Sequence, residues 1–231
     1  MAQKKGYGQF CPIAQAAEVL AERWTPLVIR ELYCGSTRFN DLQRGVPRMS
    51  PSLLSRRLKE LEFAGIVEIT PAPGGKWSEY RLTPSGEAMF PVIDQMGNWA
   101  MKWQRRQLTA DENLDPDLLM WDIRRRAMHF GEMPEGRHVV KFQLSGVPVS
   151  HRFYWLVLNG AETDLCIRDP GHEIDLLVSG HLRVLTRIWL GEASISGTVA
   201  EGALHLDGMP AETGAFRKWF ALSHFAPQAA E

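Results

Sequence analysis

The first half of the chain is written in helical period and the second largely in strand period. From Pro12 to Arg23, Ile13, Ala16, Ala17, Leu20 and Ala21 share one face, and Pro12 stands in the first turn, where its missing N–H is harmless. Pro26 to Tyr33 repeats the pattern with Leu27, Val28, Ile29 and Leu32, and Gly35 closes it. A short helical piece, Arg38 to Leu42, ends at Gly45-Val46-Pro47. The next segment, Ser50 to Glu62, opens with a capping serine and a proline at the first helical position. Leu54, Leu58 and Leu61 form its buried stripe, while Ser52, Ser55, Arg56 and Lys59 lie together on the other side.

After Gly65 the period falls to two. Residues 66–70 and 78–82 read as strands around a projecting connection, Pro71 to Trp77. Thr83-Pro84-Ser85-Gly86-Glu87 has the cap-and-glutamate arrangement of a helix start. Apolar spacing carries that helix to about Arg106, roughly 34 Å at the usual rise. Residues 107–113 are polar and serve as the linker, which predicts domains at 1–110 and 111–231. Beyond it come a helix at 114–129, strands at 138–144, 151–158, 163–168 and 173–178, helices at 181–189 and 192–200, a strand at 203–207 and a helix at 211–221. The expected fold class is α+β: a helical first domain with a hairpin, then an antiparallel sheet covered by helices.

Composition adds limits. With 45% hydrophobic and 23% charged residues the chain is of ordinary globular type. Its 3 cysteines, Cys11, Cys34 and Cys166, are far apart and form no CxxC, which points to a reducing, cytoplasmic setting and to no structural metal. The opening Met-Ala-Gln-Lys-Lys leads into no signal-peptide core, and no apolar run is long enough for a membrane span. No Walker loop, dinucleotide fingerprint, nucleophile elbow or His-Glu-x-x-His occurs, so neither an enzyme nor a cofactor is expected. Charge is unevenly placed, with 15 basic against 10 acidic residues up to 110 and 11 against 17 after it.

A helix with a polar-basic outer face, followed by a hairpin with a basic tip, suits double-stranded DNA. A helix fits the major groove and a hairpin reaches the backbone beside it. Arg56 and Lys59 have the length for guanine edges. Ser50, Ser52 and Ser55 are short donors, and Arg38 and Lys76 are placed for phosphates. Each residue taken alone also reads as a solvated surface group, and Arg57 reads as a sideways partner for a carboxylate.

Cys11-Pro12-Ile13, Arg23-Trp24-Thr25-Pro26-Leu27, Arg38-Phe39-Asn40-Asp41-Leu42, Leu54-Ser55-Arg56-Arg57-Leu58 and Glu79-Tyr80-Arg81-Leu82-Thr83 closely resemble the HxlR-type winged helix regulators. The resemblance spans about residues 10–106. It implies a homodimeric bacterial transcription regulator, with the helix at 51–63 in the major groove, the hairpin at 66–82 as wing, and the first and long last helices as the dimer surface. Ile13, Leu20, Phe90, Ile93, Met96, Trp99 and Trp103 are then the dimerisation residues. The excess of apolar residues on the long helix also asks for a cover, either a second copy or the second domain. Cys11, ahead of a helix start and with Lys4, Lys5 and Arg23 as candidate neighbours, is the candidate redox thiol. Its other reading is a small buried hydrophobe.

In the second half, Leu185 to Glu192, Gly202 to Gly208 and Phe216 to Phe220 resemble the C-terminal part of sterol-carrier-type domains. That resemblance implies a lipidic or other apolar small molecule as a partner. Phe142, Phe153, Trp155, Trp189 and Trp219 are the expected pocket lining. A filled core is the alternative that residue pattern leaves open.

Overall fold

The computed structural model of the chain describes residues 6–130, 136–160 and 162–227, with 128–130 described by backbone alone. It forms two compact units, Met1–Gly97 and Asn98–Glu231.

The first unit runs α1 (Pro12–Leu20), α2 (Thr25–Tyr33), α3 (Phe39–Gly45) and α4 (Pro51–Phe63), then the antiparallel hairpin β1 (Val67–Pro71) and β2 (Ser78–Leu82). Val28, Ile29 and Leu32 of α2 meet Leu42 of α3 and Leu54, Leu58 and Leu61 of α4 in one core, closed by Val46 and Met49 from the intervening turn. The long helix expected over 84–106 is instead three pieces: α5 (Pro84–Glu87), α6 (Phe90–Trp103) and α7 (Arg105–Leu108). Proline explains the first break. Pro91 has no N–H to return to the Glu87 carbonyl, so the chain turns at Ala88–Met89 and starts again.

Glu31 of α2 is fully buried. The Arg30 guanidinium donates to its Oε1 from Nε at 3.1 Å and from Nη2 at 2.7 Å, and Nη2 also donates to the Gly45 carbonyl at 2.8 Å. A Cβ at Gly45 would overlap the Glu31 carboxylate. Glycine is therefore a requirement of close approach here.

The second unit contains α8 (Pro116–Phe130), β3 (Arg137–Ser145), β4 (Phe153–Asn159), β5 (Glu162–Cys166), β6 (Leu176–His181), α9 (Leu182–Trp189), α10 (Ile195–Ala200), β7 (Leu204–Gly208) and α11 (Pro210–Trp219). The strand order is β5-β4-β3-β6-β7. This corrects the expected antiparallel sheet, because β3 and β6 pair in parallel, Val140 opposite Leu176. After β5 the chain crosses over through residues 167–175 and enters beside β3 from its far side. Alternation along a strand says which residues share a face, not which neighbour the strand will find.

One face of the sheet carries Val140, Phe142, Leu144, Tyr154, Leu156, Leu158, Leu176 and Val178 into the core, where Met120 and Ile123 of α8, Leu185 and Ile188 of α9 and Phe216 of α11 meet them. Polar ties seat α8. The Tyr154 hydroxyl donates to Asp117 at 2.6 Å and Arg124 Nε donates to the Thr163 carbonyl at 2.7 Å. Burial, reinforced by that carboxylate, holds the Tyr154 phenol protonated far above its usual range.

Gly45→Ala is expected to lower stability by about 1–3 kcal/mol through forced repacking around Glu31. Urea unfolding of the two proteins measures it, and an unchanged midpoint would mean that Glu31 is not held against Gly45.

Candidate nucleic-acid interface

Ser52, Ser55, Arg56 and Lys59 are all exposed on α4. Their spacing of three, four and seven residues keeps them on one face, and Leu54, Leu58 and Leu61 fix that face outward by burying the other. Ser50 is exposed as well, and its hydroxyl accepts the Leu53 amide at 3.3 Å as the N-cap. It also lies 3.3 Å from the Ser52 hydroxyl. The two arginines of α4 differ in kind. Arg56 is outward, its side chain 68% exposed and only 4.0 Å from Glu60. Arg57 is turned in, 2.7 Å from Glu60 and 3.4 Å from Glu22, as its sideways position in the sequence suggested.

Arg38 stands at the N-cap of α3, pairs through its backbone with Glu79 of β2 in an isolated antiparallel β-bridge, and lies 4.9 Å from the centre of the Trp77 ring. It therefore sits where the helix–turn–helix joins the hairpin, with its charge over an aromatic face. Lys76 is exposed in the hairpin connection beside Trp77. Sequence reasoning passed over Trp77, although a large aromatic in an exposed turn was a legible signal. It also passed over Arg44 and Arg48, which are exposed around the turn between α3 and α4.

The expected dimer residues divide. Ile13 is 79% exposed, and Met96, Trp99 and Trp103 are 51%, 55% and 64% exposed in a stripe along α6. Phe90 stacks on Tyr33 with ring centres 3.4 Å apart. Leu20 packs partly against the first unit's core, and Ile93 is buried in it. Ile93 is thus corrected to a core residue, because it lies on the inner side of α6. Cys11 is half-buried at the N-cap of α1. Lys4 and Lys5, expected near it, lie outside the described residues, and Arg23 lies over the Trp24 ring at 5.4 Å.

The five expected pocket residues are not brought to one cavity, which corrects that reading. Phe142 pairs with Tyr154 on the core face, whereas Phe153 pairs with Gln143 and Trp155 with Lys141 on the opposite face. A strand alternates faces at every residue, so Phe153 and Trp155, which share the parity opposite to Tyr154, cannot line one pocket with its partner Phe142. Trp189 and Trp219 join Phe142 in the helix-covered core. Among the described residues no group of three His, Cys, Asp or Glu converges to hold a metal ion, and no helix is long and apolar enough to cross a membrane.

Residues 19–108 match the model of the HxlR-like helix-turn-helix family. The chain is 36% identical over 97 residues to YvaP of Bacillus subtilis, an uncharacterized HTH-type transcriptional regulator, covering 41% of this chain and 90% of that protein. The chain belongs to the HxlR family. A second uncharacterized HTH-type transcriptional regulator, Rv3095 of Mycobacterium tuberculosis, is 32% identical over 139 residues, 55% of this chain and 82% of that one. Among solved structures, the reduced form of the transcriptional regulator YodB from B. subtilis is 35% identical, with a TM-score of 0.37 over 41% of this chain and 95% of that one. HxlR-family regulators are transcription factors and not enzymes.

In this HxlR-family chain the contrast between Arg56 and Arg57 is measurable without DNA. Arg57→Ala is expected to cost about 1–2 kcal/mol of stability, from loss of charge-assisted bonds at a buried position. Arg56→Ala is expected to stay within about 0.5 kcal/mol. Equal losses in thermal unfolding would contradict the inward anchoring of Arg57.

Proposed function

We propose that the protein is a cytoplasmic, homodimeric regulator of transcription that binds double-stranded DNA through α4 and the β1–β2 hairpin. The observation that carries this reading is the outward face of α4. Two short hydroxyl residues, Ser52 and Ser55, and two long cations, Arg56 and Lys59, project from a helix whose opposite stripe is locked in the core of an HxlR-type helix–turn–helix. Arg56 and Lys59 take base edges, Ser50, Ser52 and Ser55 take bases or phosphates, and Arg38 and Lys76 take the backbone beside them.

The exposed Met96, Trp99 and Trp103 stripe and Ile13 are the surface for the second copy, since a stripe of that size is seldom left to water. The functional division lies near residue 110, so that α6 serves the reader. The remaining residues form an accessory domain of sterol-carrier type, supported by helices gathered on one sheet face. Its small-molecule effector shifts operator affinity by binding the DNA-competent and DNA-incompetent forms unequally.

Selection from a randomised duplex pool, followed by competition binding at two salt concentrations, tests the reading. Arg56→Ala and Lys59→Ala are each expected to weaken the selected site by about 1–3 kcal/mol and to relax its sequence preference. No enriched site, or one indifferent to both changes, would refute α4 as reader. Sedimentation is expected to give twice the 26.1 kDa chain mass, falling to one chain for the double variant Trp99→Glu, Trp103→Glu. A monomeric wild-type protein would remove the dimer.

A further inference from the structure

The face of the second unit's sheet that points away from its helical core is organised in cross-strand rows. Phe153 stands opposite Gln143, Gln143 opposite Ser179, and Ser179 opposite His205. Ser145 and His181 begin the next row towards the ends of β3 and β6. Trp155, Lys141, Leu177 and Asp207 form the row on the other side. In-register side chains on neighbouring strands are about 5 Å apart, so each row is a continuous surface.

Gln143, Ser145, Ser179, His181 and His205, together with Arg152, line a cavity of about 470 Å³. That is within the range of small-molecule sites, roughly 300–1,000 Å³. Its chemistry runs against its surroundings. After residue 110 the chain has 11 basic and 17 acidic residues, yet no carboxylate is among the lining side chains. Arg152 forms no ion pair with a described residue, and Gln143, Ser145, Ser179 and His205 make no side-chain hydrogen bond to one.

His181 is oriented from behind. Its Nδ1 accepts the Arg183 amide at 3.1 Å, which leaves the ring hydrogen on Nε2 as a donor. The ring is seated against Gly146, where a Cβ would overlap Nε2 and where the backbone has a φ of +74°. Beside the polar rows the surface is aromatic. Phe153 and Trp155 have ring centres 6.2 Å apart, with the Lys141 ammonium 4.9 Å and 5.5 Å from them. The Trp155 indole N–H is buried with no acceptor among the described residues.

We propose that this cavity binds a small organic anion with an apolar body. The Arg152 guanidinium and His181 Nε2–H hold a carboxylate or similar group, His205, Ser179 and Gln143 complete its hydrogen bonds, and Phe153 covers the apolar part. The proposal rests on the reading of the second unit as an effector domain and gives that effector a chemical class. It places the ligand on the face of the sheet that points away from the helical core, not among the aromatic side chains packed between sheet and helices.

Calorimetric titration of the full chain with 2-naphthoate, neutral 2-naphthalenemethanol and acetate tests it. One saturable site is expected for 2-naphthoate, at least tenfold weaker binding for each of the other two, and at least tenfold weakening of naphthoate in Arg152→Gln and in His205→Gln. Arg217→Gln, an exposed change outside the cavity, is expected to bind as the parent does. Unchanged circular dichroism in both cavity variants separates lost binding from lost folding. Binding of the alcohol as tight as that of the acid, full affinity in both cavity variants, or no saturable binding of 2-naphthoate up to about 1 mM would overturn the proposal. Selected-site DNA binding, read on the same samples without naphthoate, reports on the regulator reading separately, so either can fail while the other stands.

Discussion

The carboxylate of Glu31 lies fully buried between α2 and α3, and the first unit is arranged around keeping it satisfied. An ionised carboxylate deprived of water is costly unless charge and hydrogen bonds replace the water. Arg30, its neighbour on α2, supplies both and extends one further bond to the carbonyl of Gly45. Gly45 is the last residue of α3 and precedes the turn into α4. The same junction therefore leads directly into the turn from which α4 starts. A side chain at Gly45 would press directly on that carboxylate.

In the second unit the governing constraint is parity. Each strand residue takes the opposite face from its neighbours, so Tyr154, Leu156 and Leu158 commit to the helical layer while Phe153, Trp155 and Val157 commit to the other side. The helical side is filled by rings, with Phe216 5.0 Å from Trp219 and 5.2 Å from Phe220. The other side keeps a mixture of aromatic and hydrogen-bonding groups. Two faces of one sheet thus have different chemistry, one apolar and packed with rings and one mixed.

Legibility in the sequence followed the range of the interaction concerned. Ser50, Pro51 and the leucine stripe of α4 announced a capped amphipathic helix, because a cap and a buried stripe are decided within a few residues. Arg57 was readable in outline for the same reason, since Glu60 is one turn away, but its second partner Glu22 is 35 positions distant and left no local mark. Pro91 was a visible breaker that the apolar spacing around it obscured. Phe153 and Trp155 look alike in composition to Phe142, and only strand register separates them. The cavity at Gln143, Ser179 and His205 joins three strands, and polar residues so scattered carry no periodic signature.

By itself the sequence determined the succession of helices, the hairpin beside them, the outward basic face of α4 and the likeness to the HxlR family, because all of these are encoded in short-range periodicity and ordered motifs. Tertiary structure alone decided that β6 runs parallel to β3, that Ile93 belongs to the core, and that Arg30, paired with Glu31, reaches the Gly45 carbonyl on α3. Those outcomes depend on which distant segments meet. Local pattern sets the face a residue will show, while chain crossing and packing set what that face encounters.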